Sequence, residues 1–163
     1  MPTKLKILNA KEIKEIKKLL KEQFGFEKNL DYIFLKNEKD KIYITSKDAS
    51  KVNLSILSIN TVGMYFAQFN KFSGEVRLSI EGARLIGEHC KKNIIDIDDE
   101  ELKKWFRGED LHMPKNCLKQ AEGNFLILKN KDDFVGCGRY ANSAILNFVG
   151  KERRVKSATN LVF

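Results

Sequence analysis

Short apolar runs return at regular intervals near the end of the chain, and this spacing is the feature that most constrains its fold. The runs occupy residues 125–128, 134–137 and 145–149 and lie about ten residues apart, with turn residues between them. Regular short strands with glycine between them are typical of a small closed β-structure. The sequence therefore predicts a small β-barrel in the last part of the chain.

The first part of the chain begins with an amphipathic helix over residues 9–24. Its apolar residues recur at steps of three and four, while Lys and Glu fill the other face. Asn9 and Glu12 have the spacing of a capping box, and Gly25 can take the left-handed conformation that ends a helix. Both ends of this helix are therefore predicted as well.

Extended segments follow the helix. Residues 32–35 and 42–45 are predicted to form an antiparallel hairpin, and Ser46 to cap a short helix through Ala49 and Val52. The apolar stretch 54–69 is predicted to be mainly strand.

The pattern breaks at Ser73, and we place a domain boundary there. Beyond it, residues 76–80 alternate as a half-buried strand, and Gly108 ends a helix with an acidic first turn. The predicted elements between these points are a helix over 82–90, a strand over 94–97 and the acidic-capped helix over 98–106. The predicted class is α+β, with an α/β domain over 1–73 and a β domain over 74–163.

Charge is unevenly distributed along the chain. The net charge is +8 and the sequence pI is near 9.3. Residues 88–110 carry eight acids against five bases, whereas no acid follows Glu152. A closing segment that holds Lys151, Arg153, Arg154 and Lys156 suits a polyanion, because each neutralised phosphate releases counterions. The alternative is a solvated edge strand protected by its charges.

The composition argues against several classes of protein. Three cysteines without a Cys-x-x-Cys pair argue against a disulfide framework and a structural zinc site. Two histidines leave little material for a catalytic triad. There is no long apolar window and no signal-peptide core, so we expect a cytoplasmic protein that does not enter a membrane.

Other candidate sites are weaker. Neither His112 with Cys117 nor His89 with Cys90 supplies four metal ligands, and Cys137 has no neighbouring histidine to activate it. The acids at 96–101 are explained by favourable charge at a helix N-terminus. We therefore predict no metal, no cofactor and no catalytic residue.

The second half resembles a PUA domain, the RNA-binding pseudo-barrel named after pseudouridine synthases and archaeosine transglycosylases. Three segments carry the resemblance: the strand-helix opening at 76–84, the Gly-x-Gly strand at 134–138 and the basic segment at 151–155. Residues 105–111, 136–138 and 147–154 are also similar to the PUA-like C-terminal region of some ribosomal-RNA cytosine-C5 methyltransferases.

The first half resembles the pre-PUA domain of the archaeal and nucleolar factor that assembles the large ribosomal subunit. The resemblance rests on a hairpin strand at 42–46, then Gly63, Phe66 and Phe69, then the pair Arg77 and Leu78. Ala67 and Gln68 depart from this pattern, because Gly and Lys are expected at their positions. The combined resemblance implies an α/β pre-PUA domain followed by a PUA pseudo-barrel.

This resemblance implies a non-catalytic RNA-binding protein that acts on ribosomal RNA, or on transfer RNA, during assembly or modification. A protein partner would bind the N-terminal domain. The alternative is an RNA-guiding subunit of a separately encoded enzyme such as a cytosine-C5 methyltransferase. The predicted RNA-binding residues are Lys151, Arg153, Arg154, Lys156, Arg139, Tyr140, Gly136 and Gly138. For the two glycines, a bend required by barrel closure is the favoured alternative.

Overall fold

The computed structural model describes residues 4–51, 63–114 and 118–156. Within these ranges the first sheet has five antiparallel strands that pair in chain order. They are β1 (Lys6–Ile7), β2 (Ile33–Lys36), β3 (Lys41–Thr45), β4 (Met64–Asn70) and β5 (Glu75–Leu78). The predicted hairpin is confirmed as β2 and β3. Strand β4 confirms the last part of the strand predicted over 54–69. Residues 54–62 lie outside the described ranges.

The second sheet also has five strands, in the order β6-β8-β9-β10-β7. The β6–β8 pair is parallel and the other pairs are antiparallel. Its strands are β6 (Ile94–Asp96), β7 (Leu111–His112), β8 (Phe125–Asn130), β9 (Asp133–Ala141) and β10 (Ala144–Leu146). The three regularly spaced runs are therefore confirmed as strands, except that the third ends at Leu146 and not at the predicted Val149. The α+β class is confirmed with them.

In the described part of the chain, three α-helices pack on these sheets, and their ends follow the sequence signals. The helices are α1 (Ala10–Phe24), α2 (Ile80–Ile86) and α3 (Asp99–Arg107). At the start of α1 the Asn9 side chain accepts from the Glu12 amide at 3.0 Å, and Glu12 accepts from the Asn9 amide at 3.0 Å. Asp98 and Glu101 form the same reciprocal box on α3. Gly25 and Gly108, with φ of 65° and 86°, end the two helices in the left-handed conformation.

Some predicted boundaries are wrong by a few residues, for local reasons. The strand predicted over 76–80 ends at Leu78 because the Ser79 hydroxyl caps α2, accepting from the Gly82 amide at 2.9 Å. After α2 a short 3₁₀ helix (Gly87–His89) completes the predicted helix over 82–90. The predicted short helix after Ser46 is a 3₁₀ helix (Lys47–Lys51). The predicted position Val52 lies outside the described ranges.

The two halves share a core. Leu20, Phe34 and Phe66 from the first half pack in one cluster with Ile127 and Cys137 from the second. A second cluster surrounds the fully buried Trp105 of α3. The predicted boundary at 73 lies in the turn between β4 and β5, both of which belong to the first sheet. The change from one sheet to the other therefore comes after Leu78.

Candidate nucleic-acid interface

The closing segment, residues 147–156, runs back across the end of α3 and is tied to it through Asn147. The Asn147 side-chain amide donates to the carbonyls of Trp105 and Glu109 at 2.8 and 2.9 Å, and its oxygen accepts from the Val149 amide at 2.8 Å. Farther along, the Val155 amide donates to the Phe106 carbonyl at 2.8 Å. The basic segment is therefore held on a rigid part of the domain.

The four cations of the closing segment have different surroundings. Lys151 and Lys156 are exposed. Arg153 forms an ion pair with Glu81 of α2. Arg154 is half-buried over Gly108, where a Cβ atom would collide with its guanidinium, and its Nε donates to the Val149 carbonyl at 3.0 Å.

Arg153 and Arg154 therefore point to different neighbours instead of acting as a pair. The segment is a 3₁₀ helix (Lys151–Arg153) followed by extended residues. Residues 151–153 form no strand, so the alternative that these cations protect an edge strand is wrong. Lys151, Arg154 and Lys156 have no carboxylate partner among residues 4–51, 63–114 and 118–156.

Arg139 joins the two sheets. Its Nη2 atom lies 2.7 Å from a Glu75 carboxylate oxygen, and its Nη1 atom donates to the Gly123 carbonyl at 3.1 Å. The guanidinium carbon also lies 4.3 Å from the centre of the Phe125 ring. With these contacts made, Arg139 acts chiefly as a structural link.

Tyr140 does not offer the stacking surface expected of it. It is 2% exposed and belongs to the core around Trp105. Residues alternate between the two faces of a strand, so Tyr140 faces inward while Arg139 faces outward. We therefore correct this candidate: its ring is unavailable to a ligand.

Gly136 and Gly138 make room for the indole of Trp105. A Cβ atom at Gly136 would lie 3.0 Å from the indole nitrogen, and one at Gly138 would lie 3.0 Å from Cη2 of the same ring. Trp105 is fully buried, and its Nε1 atom donates to the Val135 carbonyl at 3.0 Å. Both glycines are buried as well, so they serve the packing of the indole, and Gly136 also belongs to the lining of a surface cleft.

The cysteines and the possible metal sites were the other weak candidates. Burial raises the pKa of the Cys90 thiol to about 12, and burial likewise raises that of Cys137 to about 12. Such thiols are poor nucleophiles. No group of three His, Cys, Asp or Glu residues in the described ranges is arranged to hold a metal ion, and Cys117 lies outside those ranges. No helix in the same ranges is long and apolar enough to span a membrane.

A cleft of about 330 Å³ lies beside the closing segment, and the sequence did not predict it. Lys41, Arg77 and Arg153 bring positive charge to its wall, and the rings of Tyr65 and Phe148 contribute apolar surface. Glu81 and Glu152 are the acids of the lining. The alternating pattern around Arg77 could have predicted that this side chain faces outward, because Val76 and Leu78 on either side of it face the core.

The second sheet and the closing segment match a known family of domains. The family described as the methyltransferase RsmF PUA domain matches residues 92–155. The C-terminal region contains a PUA domain. The match covers β6 to β10, α3 and the closing segment as far as Val155. It begins after β5 and α2, which belong to the predicted domain 74–163. No curated protein matches the chain.

Proposed function

We propose that this protein is a non-catalytic RNA-binding protein that acts on ribosomal RNA during ribosome assembly or RNA modification. The observation that carries the proposal is the PUA-domain match over residues 92–155, which includes three of the four cations of the closing segment, Lys151, Arg153 and Arg154. A PUA domain indicates RNA binding. Lys151 and Lys156 are exposed on a segment tied to α3, so their ammonium groups can reach phosphates without first breaking an ion pair.

A filter-binding titration across salt concentrations tests this proposal. The full chain should bind a structured ribosomal-RNA fragment at low salt, and its affinity should fall steeply as salt rises. Replacing Lys151 and Lys156 together by Ala should reduce the slope of log affinity against log salt by about 1 to 2, since each phosphate contact contributes roughly 0.7 to 0.9.

A matched control removes two lysines from another surface. Lys14 and Lys18 are exposed on α1, so their double Ala variant changes net charge equally but should leave the salt slope unchanged. Arg153→Ala should have a smaller effect than the closing-segment double variant, because Glu81 already offsets the Arg153 charge. Absence of RNA binding by the wild-type chain at low salt would refute the proposal.

A second candidate function is that of an RNA-guiding subunit for a separately encoded enzyme such as a cytosine-C5 methyltransferase. The specific observation in its favour is that the matching family is described as a PUA domain of a methyltransferase. Comparing RNA cytosine methylation in cells with and without this chain separates the two functions. Loss of methylation at defined sites favours the guiding role, and unchanged methylation refutes it.

Three further expectations are part of the proposal. The first half is a pre-PUA domain that binds a protein partner, the protein acts in the cytoplasm, and it has no catalytic activity of its own. Phe72 is a large apolar side chain that a protein partner would cover, because it is fully exposed at the turn between β4 and β5.

A further inference from the structure

A row of cationic and aromatic side chains crosses from the first sheet to the second. The Lys41 ammonium lies 5.2 Å from the centre of the Tyr65 ring, and the Arg77 guanidinium lies beside the Tyr65 hydroxyl. Arg77 also lies 4.2 Å from the centre of the Phe148 ring, which packs edge-on against Phe125 at 6.1 Å. We call this set the cation–aromatic row; its members are Lys41, Tyr65, Arg77, Phe148, Phe125 and Arg139.

One end of the row is closed. Phe125 is 8% exposed, and Arg139 covers its ring while pairing with Glu75. Both Nη atoms of Arg139 are therefore already engaged. This end anchors the row to the fold, and Glu75 offsets its positive charge.

The other end of the row is open. Phe148 is 39% exposed, and Lys41, Tyr65 and Arg77 are half-buried. In the described part of the chain, neither Lys41 nor Arg77 forms an ion pair with a carboxylate. Burial raises the pKa of the Tyr65 hydroxyl, and Arg77 only partly offsets the rise, so Tyr65 is neutral at physiological pH. The open end therefore keeps its positive charge.

Arg77 and Phe148 stand between two depressions in the surface. The cleft of about 330 Å³ lies on one side. A second depression of about 280 Å³, lined by Gln68, Asn70 and the closed end of the row, lies on the other. Small-molecule pockets range from roughly 300 to 1,000 Å³, so the cleft has the size for a single nucleotide unit, and the second depression is slightly smaller. A duplex, whose bases are stacked and paired, cannot present base faces to the rings.

We propose that the open end of the row binds single-stranded RNA, with an unpaired base stacked on Phe148 and the adjoining phosphates held by Arg77 and Lys41. Alternating cations and rings are what a single strand requires, because its phosphates need positive charge and its bases need aromatic surface. This inference rests on the proposed function and extends it, since Lys41, Tyr65 and Arg77 belong to the first sheet. The RNA site then includes both halves of the protein.

Fluorescence anisotropy with a labelled oligouridine, which has no stable structure, tests the inference with the full chain. Phe148→Ala should weaken binding about 5- to 150-fold, the range found when one stacking ring is removed. Phe148→Leu should weaken it as well, while keeping apolar volume against Phe125. Phe72→Ala is the matched control, since it removes an exposed phenyl ring that lines neither depression, and it should leave the affinity unchanged.

The cations are tested separately. Arg77→Gln and Lys41→Gln should each reduce the salt slope for oligouridine by roughly 0.7, the contribution of one phosphate on a single strand. Arg77→Lys should keep the slope but lose affinity, because a lysine lacks the planar guanidinium that stacks on rings and bases.

The outcomes separate this inference from the proposed function. If Phe148→Ala and Phe148→Leu bind oligouridine as tightly as Phe72→Ala does, the inference is overturned, and retained binding of the structured ribosomal-RNA fragment leaves the proposed function standing. If the wild-type chain binds the structured fragment but not oligouridine, the inference is likewise overturned. If the wild-type chain binds neither RNA, the proposed function is refuted, and the inference that rests on it is refuted as well.

Discussion

Replacing Gly138 by Ala should destabilise the protein by crowding the strand against its neighbours. The added Cβ atom would lie 2.5 Å from Cγ2 of Ile145, 2.7 Å from the Leu146 carbonyl oxygen and 3.0 Å from Trp105. Overpacking of this kind costs about 1 to 3 kcal/mol. We expect the upper half of that range, because the carbonyl belongs to the paired strand β10 and cannot rotate away.

Urea unfolding followed by tryptophan fluorescence measures this effect at the site itself, because Trp105 is the one tryptophan of the chain. With a slope of about 2 kcal/mol/M, a loss of about 2 to 3 kcal/mol lowers the unfolding midpoint by about 1 to 1.5 M. Gly150→Ala is the control. Its φ of −57° suits alanine, and the atoms nearest to its Cβ would belong to the Glu152 side chain, which can move.

The control should shift the midpoint by no more than about 0.5 M, and in the stabilising direction, because alanine restricts the unfolded chain at a compatible site. An unchanged midpoint and an unchanged emission spectrum for Gly138→Ala would refute the packing explanation of the Gly-x-Gly strand. The two glycines would then need another role, and contact with RNA would regain support.

Two further predictions concern titratable groups. Hydrogen bonds from Lys91 and Lys21 lower the pKa of Glu27 from 4.5 to about 2, so its stabilising contribution is present above pH 4.5 and is lost as the pH falls toward 2. Glu27→Gln should therefore flatten the fall in urea midpoint over that pH window, and parallel wild-type and variant curves would contradict this. Cys90 and Cys137, whose pKa values burial raises to about 12, should resist iodoacetamide in the native protein and react in urea. Peptide mass spectrometry reads out both sites, and native labelling at the unfolded rate would contradict their burial.

Local signals in the sequence predicted most of the elements. Helix ends followed from capping residues a few positions apart, such as Asn9 with Glu12, since a cap is a contact between near neighbours. The strand predicted over 76–80 ends at Leu78 for a local reason, because Ser79 caps the next helix. The strand predicted over 145–149 ends at Leu146 for a distant one, because the Asn147 side chain donates to the Trp105 carbonyl.

The interface was harder to predict because its contacts join distant parts of the chain. Arg153 meets Glu81, and Arg77 meets Phe148, across about 70 residues of sequence. The sequence indicated that the closing segment is basic, but it did not indicate which cations have carboxylate partners. Likewise, the inward face of Tyr140 depends on how β9 pairs with β8 and β10, which the strand itself does not specify.

Ultraviolet crosslinking of the full chain to RNA, followed by mass spectrometry of the crosslinked peptides, tests the location of the interface most directly. We expect crosslinks in the stretch from Phe148 to Lys156 and in β4 and β5 around Tyr65 and Arg77. The lysine-rich outer face of α1 should give none. Crosslinks confined to α1, or spread evenly over the surface, would contradict an RNA interface at the closing segment and the first sheet.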